Sequence, residues 1–270
     1  DEFLAIVSHE LRTPLNSIQG WSQMLSNRKM NEATLAKALE TIRRNATLQG
    51  QLIDDILDIS RIVQGKIQLN TRPVHLLTVI NAAIENIRPT AEIKGIQIES
   101  LLDPEAGQIV GDPVRLQQIV WNLLSNAVKF TPSSGRVEVR LESVDSMAQI
   151  TVKDTGKGIS SDVLPYIFER FRQAEPATTR VYGGLGLGLA IVRYLVEMHS
   201  GTVYATSDGE GKGATFTVQF PLIDSQKVLP LDANPLVVDN LPSLDGVRVL
   251  VVDDQRDTLE LIAFILSEYG

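Results

Sequence analysis

Apolar residues recur at Leu4, Val7, Leu11, Leu15, Ile18 and Leu25, spacings of three, four or seven that put them on one face of a helix from Asp1 to Ser26. A second stripe follows, with Leu35, Ile42, Ile56 and Val63 in multiples of seven and Leu39, Ala46 and Ile53 alongside; the polar stretch SNRKMNE between them suits a turn. The pattern predicts a helical hairpin over residues 1–65. Two amphipathic helices cannot enclose their apolar faces alone, so the economical arrangement is a homodimer in which two hairpins form a four-helix bundle.

Beyond the hairpin the period changes. Leu76 to Ile93 reads as helix, Ile96 to Leu102 as strand, and Pro113 to Lys129 as a helix with Asp112 as its N-cap. Arg136 to Ser143 and Ala148 to Lys153 alternate as strands, Leu187 to His199 is helical, and Thr202 to Ala205 and Ala214 to Phe220 return to strand. Residues 66–222 are therefore expected to form an α+β domain with one mixed sheet and its helices on one face. Residues 223–245, rich in Pro, Asp and Asn, read as a linker. Residues 246–270 read as one strand, GVRVLVVDD, and a helix over Thr258 to Tyr269, the start of a truncated further domain.

A chain of 270 residues suits about two domains. The net charge of -8 without a basic stripe argues against nucleic acid or anionic lipid as a partner. No apolar run approaches the ~20 residues of a membrane span, so no membrane contact is expected within this stretch. The absence of cysteine removes disulfide and thiolate chemistry and, with only three histidines, makes a zinc site improbable. These features fit a cytoplasmic setting. The opening DEFLAIVSHE has no initiator Met, so the chain reads as cut from something longer, with any sensor or membrane anchor outside it.

Several clusters could carry chemistry. In SHELRTPL, His9 falls off the apolar stripe and faces solvent, Glu10 beside it can accept a ring proton, and Pro14 removes a helical hydrogen bond nearby. A neutral imidazole leaves one ring nitrogen free to attack. Those residues alone favour an ordinary exposed histidine. Gln118, Asn122, Asn126 and Lys129 share one face of a helix whose other side, Leu116, Ile119, Val120 and Leu123, reads as core; they could hold metal or phosphate, or be merely solvated. Asp154 with Gly156 and Gly158 could receive an adenine amino group or simply form a turn. Gly184, Gly186 and Gly188 lead into a helix whose N-terminus can receive phosphate oxygens, without the Gly-Lys-Ser/Thr ending of a P-loop.

Taken together, FLAIVSHELRTPLNSI resembles the phosphoacceptor box of sensor histidine kinases. DPVRLQQIVWNLLSNAVKFT resembles the asparagine box of the nucleotide-binding fold that they share with type II topoisomerases, Hsp90 chaperones and mismatch-repair ATPases. VKDTGKGI, YIFERFRQAEPATTRVY, GGLGLGLAIVRYL and GKGATFTV follow in that family's order over residues 3–220. The resemblance implies an α/β-sandwich ATP-binding domain and autophosphorylation of His9 from ATP and Mg²⁺, with Glu10 as general base and Thr13 positioning water in a phosphatase reaction. It further implies Asn122 on Mg²⁺, Asn126 on metal or phosphate, Lys129 on phosphate, Asp154 with Thr215 at the adenine, Phe168 and Phe171 anchoring a lid, and Arg172 reaching the γ-phosphate. The tail VRVLVVDDQRDTLELIAFIL resembles the start of a response-regulator receiver domain, with Asp253 and Asp254 on Mg²⁺, so a receiver aspartate in cis or in trans is the implied partner.

One position departs from the hydrolytic members of the superfamily, which carry a glutamate one turn before the first asparagine. Gln118 stands there, and an amide cannot act as a general base. The substitution favours phosphotransfer over hydrolysis. An ATP-driven clamp and a nucleotide-sensing scaffold without kinase activity are the competing readings, separable by phosphate release without phosphoprotein and by failure to bind ATP.

Overall fold

A computed structural model of the chain describes residues 2–27, 30–170, 185–223 and 248–268, with the backbone alone at 2–6 and 268. Phe171, Arg172, Gly184, the Leu4 side chain and nearly all of the expected linker therefore lie outside the described residues. Asp1–Lys227 form one compact unit and Val228–Gly270 a second.

The hairpin forms as its periodicity requires, from α1 (Glu2–Asn27) and α2 (Glu32–Val63). Asn31 caps α2, its side chain accepting from the Thr34 N–H at 2.8 Å. Pro14 is buried inside α1, where it cannot donate to the Glu10 carbonyl, while the Thr13 hydroxyl donates to the carbonyl of His9 at 3.1 Å. The two faces of α2 behave differently. Ala38, Leu52, Ile59 and Ile62 are buried, whereas Leu35, Leu39, Ile53, Leu57 and Val63 are exposed. Much of the seven-spaced stripe chosen from sequence is thus what the hairpin leaves uncovered within one chain.

The second part of this unit is built from β1 (Arg72–His75), α3 (Leu76–Lys94), β2 (Gln97–Leu102), β3 (Gln108–Gly111), α4 (Pro113–Phe130), β4 (Arg136–Val144), β5 (Met147–Asp154), α5 (Gly188–Met198), β6 (Thr202–Thr206) and β7 (Thr215–Pro221). The main sheet has the order β2-β4-β5-β7-β6, parallel at β2/β4 and antiparallel elsewhere. One face buries Val137, Val139, Leu141, Ile150, Val152, Val218 and Phe220 beside the apolar sides of the three helices, including Ile80, Leu123 and Ile191. The opposite face carries a polar row running across four strands: Gln149 donates to Glu142, Gln219 to Gln149, and Thr202 to Gln219. Such a row suits a sheet face that faces water.

The pair β1/β3 is antiparallel and was not foreseen from sequence. Each strand is four residues long, too short to show an alternation. Asp112 caps α4 as expected, accepting from the N–H groups of Val114 and Arg115, and its own N–H donates to Nε2 of the buried His199 at 3.0 Å. The other ring nitrogen of His199 lies 2.7 Å from the Leu195 carbonyl, which makes it the donor and fixes the neutral tautomer. Replacing His199 with leucine orphans the Asp112 N–H at the start of α4. The expected cost is about 2–3 kcal/mol of unfolding free energy, read from urea denaturation.

In the second unit α6 (Arg256–Glu268) forms, but residues 248–254 are not a strand, contrary to the sequence reading. A β-strand is stabilised by ladder hydrogen bonds to a neighbour, and no described segment pairs with this one. Leu250 and Val252 are left exposed.

Candidate active site and its relatives

The site residues fall on two surfaces of the Asp1–Lys227 unit. On α1, the His9 side chain is 79% exposed while that of Glu10 is only 11% exposed, with its Oε1 3.6 Å from His9 Nδ1. The carboxylate therefore addresses Nδ1 and leaves Nε2 to solvent.

The second surface is a pocket floor made of glycines around Asp154, at the end of β5. Burial pushes the Asp154 carboxyl above its ordinary value, opposed by backbone donors. One oxygen accepts from the Gly156 N–H at 2.8 Å and the Ala214 N–H at 3.3 Å. In the ladder Thr215 stands opposite Lys153, one residue beyond the Ala214 N–H that reaches Asp154. Gly158 and Gly213 have φ of 69° and 72°, and a Cβ on either would come 2.0 Å from a backbone carbonyl oxygen, of Gly209 and Asp154 respectively. No other residue fits there. The loop that follows β6, through the Ser207 hydroxyl and Gly211 N–H, is tied to Ile159 and Lys157; of this loop the sequence reading singled out the stretch from Gly211 and not Ser207 or Gly209. Phe168 packs edge-on against Phe216 with centroids 6.3 Å apart.

On α4, Asn122 is 6% exposed and its buried amide nitrogen has no hydrogen-bond partner among the described residues. A Cβ on Gly188, the first residue of α5, would lie 3.1 Å from the side-chain Oδ1 of Asn122, so that helix starts directly beside the asparagine. Lys129 and Lys157 both stand over the Phe130 ring, 5.1 and 4.5 Å from its centroid. Asn126 is partly buried on the same helix, and Gly186 takes φ 67° just before α5. A buried amide nitrogen unpaired among the described residues, a helix N-terminus beside it, two ammonium groups and a carboxylate over a glycine floor fit a nucleotide triphosphate with its cation.

Gln118 does not face this pocket. Its amide is bonded to Asp58 of α2 and to Arg115, a connection with no sequence signal beyond a carboxylate beside the buried residue Ile59. The nearby Asp55 carboxyl is pushed up to about 7 by burial and by the charges of Asp58 and Asp54. A raised carboxyl favours the folded state fully below about pH 4, and that contribution is lost as pH rises through about 7. Asp55→Asn should therefore flatten the stability profile between pH 5 and 8 and stabilise the chain at pH 8 by roughly 1–2 kcal/mol, measured by chemical denaturation. In the second unit Asp253 and Asp254 are exposed, and Asp253 accepts from the Gln255 N–H at 2.8 Å just before α6.

Residues 1–65 match the His Kinase A (phospho-acceptor) domain, and residues 111–224 match the histidine kinase-, DNA gyrase B- and HSP90-like ATPase family. Hybrid signal transduction histidine kinase D of Dictyostelium discoideum is 40% identical over 83% of this chain and 17% of its own length. The autoinducer 2 sensor kinase/phosphatase LuxQ of Vibrio parahaemolyticus is 40% identical over 99% of this chain and 31% of its own. The chain thus spans less than a third of either relative. Among solved structures, full-length ShkA in complex with AMPPNP superimposes with a TM-score of 0.60 at 33% identity, covering 87% of this chain and 48% of that one. No described helix is long and apolar enough to cross a membrane. With a phospho-acceptor hairpin ahead of an ATPase-type α/β domain in one chain, this protein belongs to the histidine kinases.

Proposed function

We propose that the chain transfers the γ-phosphoryl group of ATP to its own His9 and then to a receiver-domain aspartate in two-component signalling. The observation that carries this reading is the exposed imidazole whose Nδ1 faces the sheltered Glu10 carboxylate. In the proposed step the Nε2 lone pair attacks the γ-phosphorus, the bond to the bridging oxygen breaks, ADP leaves, and the Nδ1 proton passes to Glu10. Asp154 orients the base through its amino group, and Gly156 and Gly158 allow the ring to approach. Gly184, Gly186, Gly188, Asn126 and Lys129 receive the phosphates, with Arg172 reaching the γ-phosphate. Asn122 would hold Mg²⁺, which supplies charge neutralisation of the triphosphate when bound.

The exposed apolar stripe of α2 supports pairing of two hairpins into a four-helix bundle. Dependence on ATP supports a cytoplasmic site of reaction. Thr13, one turn beyond His9 on α1, would orient water for dephosphorylation of the receiver aspartate, a reading supported by the second activity in the name of the Vibrio relative. The likeness of residues 246–270 to the start of a receiver, with Asp253 and Asp254 as its cation ligands, supports a partner in cis; the same aspartate could stand on a separate protein. Incubation with γ-labelled ATP and Mg²⁺ tests the reading: an acid-labile phosphoprotein is expected. Steady release of inorganic phosphate without phosphoprotein would point instead to a hydrolytic clamp.

A further inference from the structure

The amide at position 118 is used in both directions. Gln118 Nε2 donates to Asp58 Oδ2 at 2.7 Å, and its Oε1 accepts from Arg115 Nη1 at 2.7 Å. Arg115 Nη1 also donates to both oxygens of Asp58, at 3.0 and 2.8 Å, and Asp58 is buried. A glutamate at 118 could not donate, and it would set a second carboxylate against the first in a site shielded from water. The hydrogen-bond chemistry of this contact therefore selects glutamine over glutamate.

The contact joins α2 of the hairpin to the first turns of α4, and Asn122 lies one turn further along the same face of α4. It therefore holds the helix of the nucleotide site against α2. The acceptor is on α1, and the His9 side chain is 79% exposed among the described residues. Phosphoryl transfer needs the phosphorus within about 3–3.5 Å of Nε2 and in line. An open cleft of about 650 Å³, lined by Gly50, Asp54, Leu57, Val114 and Trp121 among others, borders the contact and leaves room for the two parts to shift.

We propose that Asp58, Arg115 and Gln118 form a latch that parks the ATP-binding layer on α2 and opens before phosphate reaches His9. The inference rests on the autokinase reading for its consequence but not for its geometry. Gln118 acts here as a positioning residue through Asp58 and touches no reacting atom.

The chain contains no cysteine, so spin labels can be placed on Leu48→Cys of α2 and Ile93→Cys of α3, both exposed, in a labelled chain diluted with unlabelled chain. The unaltered latch should give one short interlabel distance. Gln118→Glu and Asp58→Asn should shift the population to longer distances and raise the initial rate of His9 labelling at saturating ATP about tenfold, a shift of about 1.4 kcal/mol. The double variant Asp58→Asn/Gln118→Glu restores one donor and one acceptor across the contact, and should return both readouts toward the parent. Unchanged distances in Gln118→Glu would overturn the latch. Longer distances with slower labelling would also overturn it, because the contact would then be part of the transfer geometry. A parent chain that forms no phosphohistidine would defeat the autokinase reading, and the distances would still decide whether the contact holds the layer.

Discussion

His9→Ala is expected to leave less than about 1% of the acid-labile phosphate formed by the parent chain, since the nucleophile itself is gone. The chain has three histidines, and the structure separates them. His199 is buried with both ring nitrogens engaged, to the Asp112 N–H and the Leu195 carbonyl. His75 is exposed, but its Nε2 is paired with the Gln108 amide at 2.5 Å. Only His9 combines an open Nε2 with a carboxylate at Nδ1. Glu10→Gln keeps the shape of the site and removes its proton acceptor, so the same assay should show labelling slowed by about 10²-fold or more at unchanged ATP affinity. Labelling that persists in His9→Ala, or a Glu10→Gln variant at the parent rate, would refute the assignment.

Asp154→Asn should weaken ATP binding by about 10²-fold while leaving the melting transition close to that of the parent. The carboxylate oxygen that accepts from Gly156 and Ala214 is held in place by those backbone donors, and the other makes no hydrogen bond among the described residues. A buried acceptor so held discriminates by the cost of leaving it unpaired. An amide can turn its NH₂ toward the incoming amino group, which converts attraction into a donor-donor clash. The same reasoning predicts that inosine triphosphate, with a carbonyl in place of the adenine amino group, binds the parent chain about 10²-fold more weakly than ATP. Calorimetric titration of both nucleotides checks it, and equal affinities would rule Asp154 out as the base-reading group.

The hairpin, the Asp112 cap, the extent of α4 and the strands on either side of Ser146 were legible because each rests on a local rule: a 3.6-residue period, a side chain closing its own helix, or alternation along a strand. The short pair β1/β3 escaped because four residues carry no period, and its stability comes from pairing across about 35 positions of chain. Residues 248–254 show the converse error, an apolar β-branched run that reads as a strand but lacks a neighbour to bond. Around Asp154 the glycines were legible by type and spacing, whereas the Ala214 N–H that meets its carboxylate from sixty positions away had no local signal.

Gln118 shows the division best. Its residue type excluded a general base at that position, a matter of covalent chemistry that needs no fold. What the amide does instead depends on Asp58, sixty positions away on another helix, and on Arg115 arriving at the same carboxylate. Local periodicity decides which face a residue occupies, because side-chain direction follows backbone geometry within a few residues. Which charges meet across two elements is decided by packing, since burial of Asp58 is tolerated only where Arg115 and Gln118 satisfy it.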